Sequence, residues 1–97
     1  MLRHVVLFTW SDGTDDGRRA TTLAALRRLP DEVGGMTSFA VGNDLGLREG
    51  NAHTALVADF PDVEAFRSYA ADPRHLAVIA EFVKPHLASR TAVQYEV

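Results

Sequence analysis

Ninety-seven residues, with 10 Lys and Arg against 13 Asp and Glu and a net charge of -3, make a chain the size of one small domain, 1–97, with no room for a second. The absence of cysteine excludes a disulfide scaffold, thiol chemistry and CxxC zinc sites, and no basic patch interleaved with aromatics points to nucleic acid. The opening MLRHVVLFTW is too short to span a membrane and lacks a small-residue cleavage site, so a cytoplasmic protein without membrane association is expected.

HVVLFTW, His4–Trp10, is a short apolar run rich in β-branched and aromatic residues and closed by SDG, the pattern of a strand and turn. The pleat puts His4, Val6, Phe8 and Trp10 on one face and Val5, Leu7 and Thr9 on the other. DDGRRATTLAALRRLPDEV predicts a helix with Ala20, Leu23, Leu26 and Leu29 inward and Arg18, Arg19, Arg27 and Arg28 on a solvated face. Asp15 and Asp16 favour its start, and Pro30 with Gly34-Gly35 its end. A second strand over Met36–Gly46 runs into a loop, with Gly42 and Asn43 as turn or bulge residues. HTALVADF, His53–Phe60, is a third strand.

The next helix starts at Asp62 as N-cap, with Val63, Phe66 and Ala70 on its stripe. A further helical piece begins at Pro73, capped by Asp72, with Leu76, Ile79, Ala80 and Val83 inward. TAVQYEV, Thr91–Val97, alternates as a last strand. The order predicts an α+β, ferredoxin-like βαββαβ sandwich: a four-stranded antiparallel sheet with helices on one side.

Two helical segments cover only one sheet face, yet strands one and three are apolar on both. A soluble monomer avoids such a patch, so a two-fold homodimer is expected, its paired sheets enclosing a barrel-like space.

SYAADPRHLAVIAEF, Ser68–Phe82, sets Tyr69 and His75 six residues apart. An unbroken helix turns by about 600° over that span, leaving them on different faces. Pro73 disfavours helical geometry at Asp72 and re-aims the backbone, so the two can converge. His75 titrates near neutrality and suits a proton transfer beside a carbonyl, with Tyr69 orienting it or donating to a developing enolate. The plainer alternative is a core tyrosine and a histidine bracing the kink. His4 shares a strand face with Val6 and Phe8 and becomes a polar group in an apolar pocket if that face lines one; otherwise it is a wet residue at a strand start. His86 reads as a surface residue near a helix end, and no HxH or HExxH motif suggests a metal.

HVVLF, FAVGNDLG, ALVADFPDVEAFRSYAADPRH and VKPH followed by TAVQYEV together resemble the stress-responsive dimeric α/β-barrel (Dabb) family over nearly the whole chain. The resemblance implies a ferredoxin-like subunit and a dimer and says little of chemistry; no cofactor is expected. In members of polyketide-cyclase type it implies a cofactor-free acid–base pair, which falls on Tyr69 and His75, with the substrate in a pocket between sheet and helices; the strand-face reading adds His4 as a further catalytic candidate. Those members place a further histidine six residues before the strand-ending Phe60. Here that position is Thr54, a hydrogen-bonding substitute, and their first-helix tyrosine falls on Leu26.

Two departures leave a more apolar pocket, with Val6, Phe8, Thr54, Leu26 and Phe66 as ligand-binding residues. The leading expectation is a small, largely apolar ligand. A cyclase, lyase or isomerase is the alternative. A cofactor-free monooxygenase on the same architecture, with Trp10 lining its cavity, is a further one.

Overall fold

The computed structural model describes residues 1–97. The elements run β1 (Leu2–Trp10), α1 (Asp16–Arg27), α2 (Leu29–Glu32), β2 (Ser38–Asn43), β3 (Thr54–Phe60), α3 (Val63–Ala71), α4 (Pro73–Val78), a π-helical turn (Ile79–Val83), a 3-10 turn (Lys84–His86) and β4 (Leu87–Glu96). The strands form one antiparallel sheet in the order β2-β3-β1-β4, the ferredoxin-like arrangement. No helix is long and apolar enough to cross a membrane.

Burial along β1 alternates with period 2. Leu2, His4, Val6, Phe8 and Trp10 are buried beneath the helices. Leu56, Ala58 and Phe60 of β3 join them on that face, with Leu26 and Leu29 above, to form the core. Each fully buried side chain of this size stabilises the fold by about 1.5–3 kcal/mol.

The other face is open. Val5 pairs with Val57 and Val93, and Leu7 with Ala55. Leu7 is 40% exposed, Val93 54% and Tyr95 47%. Asp59 on this face accepts two hydrogen bonds from the Arg3 guanidinium, at 2.8 and 2.9 Å, so its carboxylate is held below the usual range.

Capping chemistry explains the helix starts. Asp15 accepts from the Arg18 N–H at 2.7 Å, Asp62 from the Ala65 N–H at 2.8 Å, and Asp72 from the Arg74 N–H at 2.8 Å. Gly34 and Gly35 take φ of 77° and 91° after α2, a conformation that costs a residue with a Cβ.

Several expectations need correction. Thr22 and Ala25 are buried on α1 while Leu23 is half-buried and Ala20 exposed, because Thr22 turns in to donate to the Phe82 carbonyl at 2.8 Å. Val63, Leu76 and Ala80 are exposed. The π-helical turn resets the phase: Lys84 N–H bonds back to the Ile79 carbonyl, and Val78 and Val83, five residues apart, both face inward. β4 begins at Leu87 rather than Thr91. Gly42 and Asn43 are β2 residues paired with Ala55 and Thr54, and the sheet's irregularity lies instead at Thr9–Trp10 against β4.

Candidate functional site

A cavity of about 290 Å³ lies between the helix-covered sheet face and the helices. It is therefore inside the subunit, on the opposite side of the sheet from Val5 and Leu7. Twelve of its sixteen lining residues are hydrophobic, as a small-molecule site requires. His4, Val6 and Phe8 of β1 form its floor, Leu26 and Leu29 one wall, and Phe66, Tyr69 and His75 another. Ile79 and Val83 of the π-helical turn also border it.

The break at Asp72 assembles the aromatic wall. Its ψ of 128° is extended, so α3 stops and α4 sets off on a new axis. The rings of Tyr69 and His75 then meet, 4.3 Å between centroids and inclined at 39°. The contact is ring against ring, without a hydrogen bond between hydroxyl and imidazole, so Tyr69 orients His75 by packing. Phe60 lies 5.1 Å from Tyr69, and Phe66 is 4.9 Å from His4.

Hydrogen bonds fix both tautomers. Nδ1–H of His75 donates to the Ala70 carbonyl at 3.2 Å, which leaves Nε2 as the free lone pair of the neutral ring. Nδ1 of His4 accepts from the Gln94 side-chain amide at 2.9 Å, which puts that ring's proton on Nε2. Burial, reinforced by the charges of Arg90 and His75, pushes His4 down to about 4. Burial also lowers His75; Arg90 acts in the same sense, while the Ala70 bond and Asp72 oppose. The Tyr69 hydroxyl is pushed up to about 12 by burial alone.

At neutral pH the cavity therefore presents one imidazole acceptor, one imidazole donor and one phenol. None of these three polar atoms has a protein partner, and none is sealed: Arg19 Nε is the only buried, partnerless side-chain polar atom in the molecule.

Thr54 does not reach the cavity. It accepts from Trp10 Nε1 at 3.0 Å and donates to Asn43 Oδ1 at 2.8 Å, a buried bridge between strand ends. Trp10 is 3% exposed, stacks on Phe8 and does not border the cavity. His53 precedes β3, where its Nδ1 accepts from the Trp10 N–H at 3.0 Å. The His86 carbonyl accepts from the Ser11 N–H and hydroxyl.

Arg19, Arg27, Arg28 and His53 line a separate open cleft of about 850 Å³, together with Asp16 and Asp44. Ala70 and Leu76, read from the sequence as inward helix positions, also border the apolar cavity, as do Lys84, Leu87 and Arg90, which nothing in the sequence pattern marks as lining residues. Arg90 is opposite Phe8 in the register, a placement visible only once β4 starts at Leu87.

The sequence matches the description "Stress responsive A/B Barrel Domain" over residues 2–97. The chain belongs to the Dabb family. Among solved structures, a dimeric ferredoxin-like protein of unknown function from Thermobifida fusca is 38% identical, with a TM-score of 0.90 over 99% of this chain and 90% of that one. A dimeric protein of unknown function from Bacteroides fragilis is 24% identical, with a TM-score of 0.84 over 99% and 95%. A hydroxynitrile lyase from Passiflora edulis is 21% identical, with a TM-score of 0.86 over 99% and 92%. Likeness at the last two identities shows the Dabb fold alone. No curated protein matches.

Proposed function

We propose that this Dabb protein is a homodimer in which each subunit binds a small, largely apolar molecule in the cavity between sheet and helices. The observation that carries the reading is the set of unpartnered polar atoms of His4, Tyr69 and His75 in an enclosure that is hydrophobic apart from them and the exposed Lys84 and Arg90. Unpartnered polar groups in such a place are costly unless water or a ligand satisfies them. An oxygen-bearing ligand receives a hydrogen bond from His4 Nε2–H or the Tyr69 hydroxyl and offers one to His75 Nε2. The homodimer is supported by the open apolar face around Leu7 and Val57 and by structural neighbours described as dimeric.

Acid–base catalysis is the second reading, favoured by the complementary protonation of the two histidines. His75 Nε2 removes a proton beside a carbonyl, while His4 Nε2–H and the Tyr69 hydroxyl stabilise the developing enolate oxygen. Ring closure, isomerisation or lyase chemistry then follows from the substrate. The same scaffold carries a hydroxynitrile lyase in Passiflora edulis. The monooxygenase reading puts Trp10 in the cavity lining, a place the buried indole does not take.

Titration with neutral carbonyl compounds such as 4-phenylbutan-2-one, against wild type and Ala70→Phe, tests the binding site. Binding to wild type that is lost on filling the cavity supports it. Unchanged binding in A70F, or none to either protein, contradicts it.

A further inference from the structure

The cavity has charged residues of one sign only. The protein has 13 acidic and 10 basic residues, yet no carboxylate lines this enclosure. Its two charged side chains are Lys84 and Arg90. Both are exposed, and neither takes part in any of the molecule's ion pairs.

They come from one stretch, the 3-10 turn and the start of β4. Arg90 stands opposite Phe8, on the sheet face that forms the floor. It lines the same cavity as His4 and His75, and its charge disfavours protonation of both. Free cations at the rim of a low-dielectric cavity draw in anions and bind them most strongly where water is excluded.

We infer that the ligand is an amphipathic anion: a small carboxylate whose apolar body lies among Phe8, Leu26, Leu29 and Val83, with its head group at Arg90 and Lys84. The inference rests on the cavity being the ligand site, as proposed above, and adds the ligand's charge. The guanidinium fork matches a carboxylate bidentately, and Lys84 adds a second point charge. A volume of about 290 Å³ is that of about ten water-sized groups at about 30 Å³ each. An aryl-substituted or medium-length aliphatic acid fits that size.

The test compares 4-phenylbutanoate with 4-phenylbutan-1-ol, which share a body and differ in charge. The readout is the NMR signals of the imidazole ring protons of the four histidines. His4 and His75 border the cavity and His53 and His86 do not, so the signals locate each ligand. Both compounds are expected to shift His4 and His75. The carboxylate is expected to bind about fivefold more tightly at low salt, the scale of one exposed charge pair, and the preference falls as salt is added. The exposed double variant Lys84→Gln/Arg90→Gln loses the preference and keeps the affinity for the alcohol.

Equal affinities, or tighter binding of the alcohol, with His4 and His75 still shifting, overturn the anionic ligand and leave the cavity as the binding site. Failure of both compounds to bind, or shifts confined to His53 and His86, overturns the two together.

Discussion

Tyr69 and His75 pack ring against ring at 4.3 Å although six residues separate them in the sequence. A single extended residue, Asp72, makes the contact possible by ending one helix and capping the next. The arrangement holds the imidazole on two sides, by the tyrosine face and by the Ala70 carbonyl. The nitrogen left free is the one a ligand can use.

The cap is the weak point of this assembly. Asp72→Ala removes the bonds to the Arg74 N–H and guanidinium. The melting temperature is expected to fall, and nuclear Overhauser contacts between the Tyr69 and His75 rings to weaken. Unchanged ring contacts would show that packing alone positions His75.

Tyr69→Phe separates stability from binding. The hydroxyl makes no protein hydrogen bond, so its loss is expected to shift stability by no more than about 0.5 kcal/mol. Affinity for 4-phenylbutan-2-one is expected to fall about fivefold, the scale of one net hydrogen bond. Urea unfolding and a binding titration on the same preparation check both halves. A large stability loss with unchanged affinity assigns the hydroxyl to the core.

Neutral His4 makes the fold acid-sensitive. Unfolded molecules take up a proton below the ordinary histidine value of 6.5, whereas folded ones refuse it until about 4. The unfolded state thus binds more protons in that window, and stability falls with pH across it. Integrated from about pH 7 to about pH 5, His4 alone removes about 2 kcal/mol, and the lowered His75 acts in the same direction. Urea unfolding at the two pH values measures the slope, and His4→Phe is expected to flatten it. An equal slope in H4F places the proton uptake elsewhere.

Leu7→Asp puts a charge on the open face, where the wild-type side chain is 40% exposed within the subunit. Analytical ultracentrifugation is expected to show a dimer for the wild type and a folded monomer for L7D. The cavity is on the opposite face of the sheet, so weak ligand binding persists in the monomer. A monomeric wild type, or a dimer unaffected by L7D, contradicts the proposed interface.

Local chemistry is legible in the sequence. Alternation puts His4, Val6 and Phe8 on one face, and Asp62 and Asp72 stand out as caps. The helices' choice of sheet face is not legible, because β1 is apolar on both sides and period 2 does not say which is covered. His4 is on the helix-covered face, so a chamber of the expected kind, enclosed by two paired sheets, is not one that His4 lines. The π-helical turn defeats the 3.6-residue stripe, placing Val78 and Val83 inward five residues apart and leaving Ala80 exposed. Thr54 has the right register for the helix-side face, but its hydroxyl is spent on Trp10 and Asn43, a partnership 44 residues distant for the indole. Arg90 escapes a reading of the sequence because β4 is an edge strand exposed on both faces, with no apolar rhythm to mark its start.

A crystal structure of the complex with 4-phenylbutan-2-one tests the binding site most directly. The ketone oxygen is expected about 3 Å from the Tyr69 hydroxyl or His4 Nε2, with the phenyl ring beside Leu26 and Leu29. An empty cavity at saturating ligand, or density only between the sheets or in the cleft beside Arg19, would contradict it.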